Sequence, residues 1–127
     1  MIYLDNTTRK LQAFLAGAAA TTNPTVTVMY KDWTPQTDGD GVALISSGKP
    51  QFTVLAGATE TDICAAPNQG YTREISMVNV FNADTTNVTL TICIDDDGTN
   101  RIQLKKVLAT LETLCYENGV GWFVLNA

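Results

Sequence analysis

The sequence contains no histidine. The commonest general base is therefore missing, so neither a Ser-His nor a Cys-His nucleophile pair can be built within one chain, and hydrolysis by a triad is excluded. Cysteine is scarce: Cys64, Cys93 and Cys115 are widely spaced and form no Cys-x-x-Cys pair. The usual zinc sets draw on such pairs and on histidine, so no metal site is expected, and the thiols read as reduced and buried. Basic residues are few, 8 Lys and Arg against 13 Asp and Glu for a net charge of −5, and they cluster only at Arg101, Lys105 and Lys106. Phosphate binding takes its affinity from clustered Lys and Arg, so nucleic acid is not expected as a partner. No apolar run approaches the ~20 residues of a membrane span, and no membrane association is expected. The first ten residues place acid and polar groups where a secretory signal needs a positive segment and an apolar core, so export by that route is not expected. Glycine-rich phosphate loops are missing too, and no cofactor is expected.

What remains is a chain of 127 residues, 45% hydrophobic and 17% charged, enough for one domain with its own apolar core over 1–127. Its apolar residues recur with period two in short segments separated by turn chemistry. From Asn87 to Ile94, Val88, Leu90, Ile92 and Ile94 point one way and Thr89, Thr91 and Cys93 the other. Thr72 to Asn82 is apolar on both sides, at Ile75, Met77, Val78, Val80 and Phe81, as expected of a strand inside a sandwich. The polar link Ala83 to Thr86 suits a tight Asx-type connection. Ile102, Leu104 and Leu108 resume an apolar stripe, so Asp95-Asp96-Asp97-Gly98-Thr99-Asn100 reads as a hairpin tip with Asp97-Gly98 at its centre. A calcium loop would need a later bidentate Glu, and neither this segment nor Asp38-Gly39-Asp40-Gly41 has one.

A last hairpin joins Glu112 to Glu117 with Trp122 to Leu125 through Asn118-Gly119, a favoured pair for a type I′ turn, although Val120-Gly121 lengthens the loop. Thr25 to Tyr30, Val42 to Ile45 and Gln51 to Leu55 read as further strands. Arg9 to Ala20 fits a helical face through Leu11, Phe14, Leu15 and Ala18 or a strand through Leu11, Ala13 and Leu15. It reads as a strand because a lone short helix would be exceptional in so strand-rich a chain, with Ala18 to Thr22 as a linker. The expected fold is all-β, an antiparallel β-sandwich or a jelly-roll-like barrel. Residues 1–8 are too polar to fold alone, yet Ile2, Tyr3 and Leu4 are apolar; an extended arm covering a neighbour's sheet edge would bury them. Paired acids, Glu60 with Asp62 or Glu74 with Glu112, are the candidates for glycosidase work, and solvated surface acids are the simpler reading. Trp33, Tyr30 and Trp122 could stack a sugar, against the plainer reading of core or interface aromatics.

Several segments taken together carry a resemblance. Leu4-Asp5-Asn6-Thr7-Thr8-Arg9, Leu15-Ala16-Gly17-Ala18, Arg73-Glu74-Ile75, Val80-Phe81-Asn82-Ala83-Asp84, Asp97-Gly98-Thr99 and Leu111 through Trp122 follow one another as in small virion structural proteins of tailed bacteriophages. Those proteins have an "N-A-D" connection, an acidic-Gly hairpin and an ending of the form L-x-x-G-E-T-L-x-Y-x-D-G-x-G-W-x-V-L. Here Thr110 or Leu111 stands where that pattern has glycine, and Asn118 where it has an acid. The resemblance implies a non-enzymatic virion component assembled in the host cytoplasm. Its implied role is capsid decoration or cement on the outer head surface, as a trimer bound to the major capsid protein or other virion proteins. A tail, collar or fibre-anchoring protein is the nearest alternative, and a carbohydrate-binding module the third. Ile2, Tyr3, Leu4, Trp33 and Asp97 are the candidate interface residues.

Overall fold

The computed structural model describes residues 1–35 and 42–126, and the side chains of these except 35 and 42–47. Asp38 to Gly41 lies outside the described residues. Among the described residues there are eleven strands: β1 (Tyr3–Leu4), β2 (Arg9–Leu15), β3 (Thr25–Pro35), β4 (Val42–Ser47), β5 (Gln51–Val54), β6 (Thr61–Cys64), β7 (Thr72–Phe81), β8 (Val88–Asp96), β9 (Thr99–Leu108), β10 (Thr113–Glu117) and β11 (Gly121–Leu125). They form two antiparallel sheets, so of the two expected forms the fold is a β-sandwich. The larger sheet runs β11-β10-β7-β3-β4, with β1 beside β10 on one flank of β7 and β5 beside β4 on the far flank of β3. The smaller runs β6-β2-β8-β9.

Period two explains the core. Val26 and Val28 of β3, Val78 and Val80 of β7, and Leu114 and Tyr116 of β10 face Leu11, Ala13 and Leu15 of β2 and Leu90 and Ile92 of β8, all fully or almost fully buried. Met29 pairs with Met77 but Tyr30 pairs with Ile75, so Ser76 is an extra residue on β7. This bulge shifts the phase of the strand and turns Ile75 and Arg73 inward beyond it. Asp97 (φ 51°) and Gly98 (φ 90°) make the β8–β9 turn type I′, the hairpin tip read from the sequence. At the last hairpin Gly119 (φ 87°) is left-handed but Asn118 is not, so that turn is not I′ and closes through Val120 N–H on Glu117 O. β9 also departs from expectation. It is an edge strand with a bulge opposite Ile92 and Cys93, which leaves Ile102 exposed and only Leu108 fully inside.

Residues 18–22 are held in place, contrary to the expected linker. Asp84, wholly buried in the turn between β7 and β8, accepts from the backbone N–H groups of Ala20, Thr21 and Thr22 and from the Thr21 hydroxyl. Asn82 fixes that turn from below: its Oδ1 accepts from Asp84 N, and its Nδ2 donates to Thr86 O and Leu108 O. Burial alone would raise the Asp84 carboxyl; the N–H donors outweigh it and hold the group well below the usual carboxylate range. A folded-state pKa below the unfolded one gives stability that is complete above pH ~4 and is lost as pH falls through the folded value. Asp84→Asn puts an NH2 group against N–H donors. It is expected to lower the melting temperature on the order of 10 °C at pH 7, with the deficit against wild type shrinking below pH ~4. Equal melting temperatures at pH 7 would remove the clamp from the account.

Candidate functional site

The inner face of the larger sheet packs on the smaller sheet, and its outer face, where apolar side chains alternate with Thr and Asn, is not covered by any other element among the described residues. Across its outer side one rung runs Leu125, Thr113, Phe81, Thr25, Val54, and the next Phe123, Cys115, Asn79, Thr27, Phe52. Met77 and Met29 follow, beside Glu117, the one charged residue of these three rungs. Phe52 is 77% exposed, Val54 62% and Leu125 54%, with Met29 and Phe81 also open to solvent. Strands ~4.8 Å apart and a rise of ~3.3 Å per residue make the face from Thr25 to Trp33 on the order of 500 Å². The largest exposed apolar patch of a typical monomer is about 300–600 Å² and is often functional. The smaller sheet's outer side differs in kind. Lys10 lies against Asp62 at 3.1 Å and Asp95 at 3.9 Å, Gln12 donates to Asp62, and Asn100 donates to Glu60. That face is a charged, hydrogen-bonded surface.

Beyond the Ser76 bulge the outer face ends in a cleft of about 290 Å³ lined by Tyr3, Trp33, Thr72 and Glu74. The register sets this grouping, since Tyr3 of β1 stands opposite Glu74 and Trp33 of β3 opposite Thr72. Trp33 Nε1–H donates to Glu74 Oε2 at 2.7 Å, and Asn118 Nδ2 donates to Glu74 Oε1. Of the candidate interface residues, Tyr3 and Trp33 are therefore brought together.

The expected extended arm is corrected here. Ile2 and Leu4 are 3% and 0% exposed within their own core, Ile2 N–H donates to the Tyr116 hydroxyl, Ile75 N–H donates to Ile2 O, and Leu4 pairs with Arg73. The edge this segment covers is that of β7 in its own chain, below the point where β10 ends. An intramolecular edge needs no second molecule and no association entropy, which is why it wins. Asp97 sits exposed at the hairpin tip beside Thr8, away from any cluster. Asp95 Oδ1 accepts from Gly98 N–H within the turn and Asp96 pairs with Arg9 and Arg101, so these two carboxylates are separately engaged while that of Asp97 is exposed to solvent.

The other candidates disperse. Glu74 and Glu112 lie at opposite ends of β7, since Glu112 O accepts from Asn82 N–H and Glu112 Oε2 from Ala109 N–H. Tyr30 faces inward beneath the Arg73 guanidinium, 3.9 Å from its ring centre, and Trp122 packs on Tyr116 with centroids 4.9 Å apart. Neither shares a platform with Trp33. Cys64, Cys93 and Cys115 are free and buried, and burial pushes the thiols of Cys64 and Cys93 up to about 11 and that of Cys115 upward too. Alkylation at pH 8 is expected to be slow in the native protein, with three labels in denaturant without reductant; fast native labelling would contradict the burial.

Comparison of the chain with protein-family models, with curated proteins and with solved structures finds no match in any of the three.

Proposed function

We propose that this chain is a non-enzymatic structural component of a tailed-phage virion, a decoration protein that seats on the outer surface of the head and self-associates there as a trimer. The observation that carries a binding role is the uncovered apolar face of the larger sheet. β7 reads in sequence as a strand buried on both sides, yet Met77 and Phe81 face solvent in the single chain. A second protein surface would complete that burial.

Support for the virion class comes from the turns. Thr110 or Leu111 stands where the resembled proteins have glycine, and Leu111 adopts a left-handed conformation, φ 65°, the backbone that glycine takes freely. Asn82-Ala83-Asp84, the shared connection, is the clamp described above, and Asp97-Gly98 is the shared acidic hairpin. If Leu111 keeps the backbone of that glycine, Leu111→Gly relieves left-handed strain of about 1–2 kcal/mol while adding unfolded-chain entropy of about 0.5–1 kcal/mol. The expected result in urea unfolding is stabilisation by up to about 1 kcal/mol; a clear loss of stability would break this link to the pattern.

The reading is tested by mixing purified protein with heads and with separated tails of the phage that encodes it, followed by sedimentation. Saturable binding to heads lacking the protein supports it. Binding only to tails, or to neither, overturns it.

A further inference from the structure

We propose that the cleft formed by Tyr3, Trp33 and Glu74 is the receptor for an arginine side chain of the partner protein. This rests on the reading of the outer sheet face as the docking surface, and adds the chemistry of its polar anchor.

The first ground is an unmatched charge. Glu74 lies half-buried between the side chains of Tyr3 and Trp33. Lys31 stands opposite it in the β3–β7 register, yet among the described residues no Lys or Arg nitrogen comes within 4 Å of its carboxylate. Trp33 and Asn118 each give it one N–H, one to each oxygen. A carboxylate offers about four lone-pair sites, so both oxygens keep room for the paired N–H groups of a guanidinium. These two donors also fix the carboxylate's orientation before a partner arrives.

The second ground is that the chain builds the complete version of this arrangement one layer below. On the inner side of the same two strands, Arg73 sits bidentate on Asp32 at 2.8 and 3.0 Å and stacks on Tyr30. Aromatic ring, carboxylate and guanidinium are all present there. The outer cleft repeats ring and carboxylate, with a second ring, and lacks the guanidinium. Cations are drawn to Trp and Tyr faces, Trp most strongly, and Arg more often than Lys. The chain's net charge of −5 favours a basic partner surface in the same direction.

The test uses the intact 15N-labelled protein and N-acetyl-arginine amide, with the uncharged isostere N-acetyl-citrulline amide as control. The Trp33 indole N–H donates to Glu74 and is the reporter; the Trp122 indole is the internal reference. Expected are saturable shifts of the Trp33 indole in the millimolar range with arginine, weakened by salt, and at least tenfold weaker binding with citrulline. Glu74→Gln keeps the shape and an acceptor but removes the charge, and is expected to weaken arginine binding about tenfold. Trp33→Phe, which removes the indole, is followed through the Tyr3 and Glu74 amides and is expected to weaken it severalfold. Equal shifts with arginine and citrulline, no shift, or shifts produced instead by glucose, galactose or N-acetylglucosamine would overturn the proposal. Because no particle enters this titration, its failure leaves head binding standing, and failure of head binding leaves an arginine-selective cleft standing.

Discussion

Replacing Arg73 with methionine is expected to cost the fold about 3–5 kcal/mol, the range for breaking a buried ion pair by removing one partner. Arg73 and Asp32 are 11% and 10% exposed at their side chains, and the guanidinium is committed at every nitrogen: Nε and Nη2 to Asp32, Nη1 to the backbone carbonyl of Ala65 at 2.8 Å. Ala65 follows β6 of the smaller sheet, while Arg73 and Asp32 belong to β7 and β3 of the larger, so one side chain ties the two layers together at this end of the sandwich. Methionine fills similar volume, keeps contact with the Tyr30 ring and leaves Asp32 charged without a counter-ion. The cost is therefore electrostatic rather than a cavity. The measurement is urea unfolding with an unchanged slope and a lower midpoint. The double replacement Arg73→Met with Asp32→Ala should recover part of the loss, because it removes the stranded charge. A single-variant loss below about 1 kcal/mol would mean that water reaches Asp32 freely and that the pair is not a buried one.

That ion pair marks where sequence reading stops. Strand positions are legible where period two is written locally, as from Val88 to Ile92 in β8, and Asp97-Gly98 announces its own turn. Arg9 to Ala20, by contrast, fits a helical face as well as a strand, and β7 is apolar on both sides with its phase shifted at Ser76. Which face of an alternating strand looks inward is not local. In Gln51 to Leu55 the apolar Phe52 and Val54 look like the core set, yet the pairing of β5 with Thr25 and Thr27 turns both outward and buries Leu55 instead. A shift of one residue reverses every side chain, and the register is set by partners far away in the chain. The Ser76 bulge compounds this: without it Glu74 would lie on the inner face and Tyr3, Trp33 and Glu74 would not converge. Tyr3 and Trp33 could be suspected as apolar residues near polar segments. Glu74 between them, and Arg73 against Asp32 across 41 residues of sequence, had no local signal. The place of the N-terminal segment is non-local for the same reason, since the edge of β7 that receives it exists only because β10 is too short to cover it.

A charge placed on the open face should strongly weaken attachment while leaving the fold intact. Phe52→Glu and Phe81→Glu are each expected to weaken binding to heads at least a hundredfold, about 2.7 kcal/mol. Phe52 is mostly exposed in the single chain, so its replacement changes folding stability by no more than about 0.5 kcal/mol. Phe81 is partly covered and its replacement costs somewhat more. In the docked state both positions would lie within an apolar contact, where an aromatic anchor is lost and an unpaired carboxylate is stranded; either change alone ranks among the large interface effects. The control is Val107→Glu, between Phe52 and Phe81 in exposure but on β9 of the smaller sheet, beside Lys105 and Lys106. It adds the same charge to the same kind of strand on the opposite side of the sandwich, and is expected to change head binding less than threefold. If Val107→Glu disrupts attachment and Phe52→Glu does not, the docking face is the smaller sheet, and the exposure of Phe52, Val54 and Leu125 requires a different partner. If all three variants bind as wild type does, the sheet faces are spectators and attachment passes through the ends of the sandwich, where Asp97 projects beside Thr8.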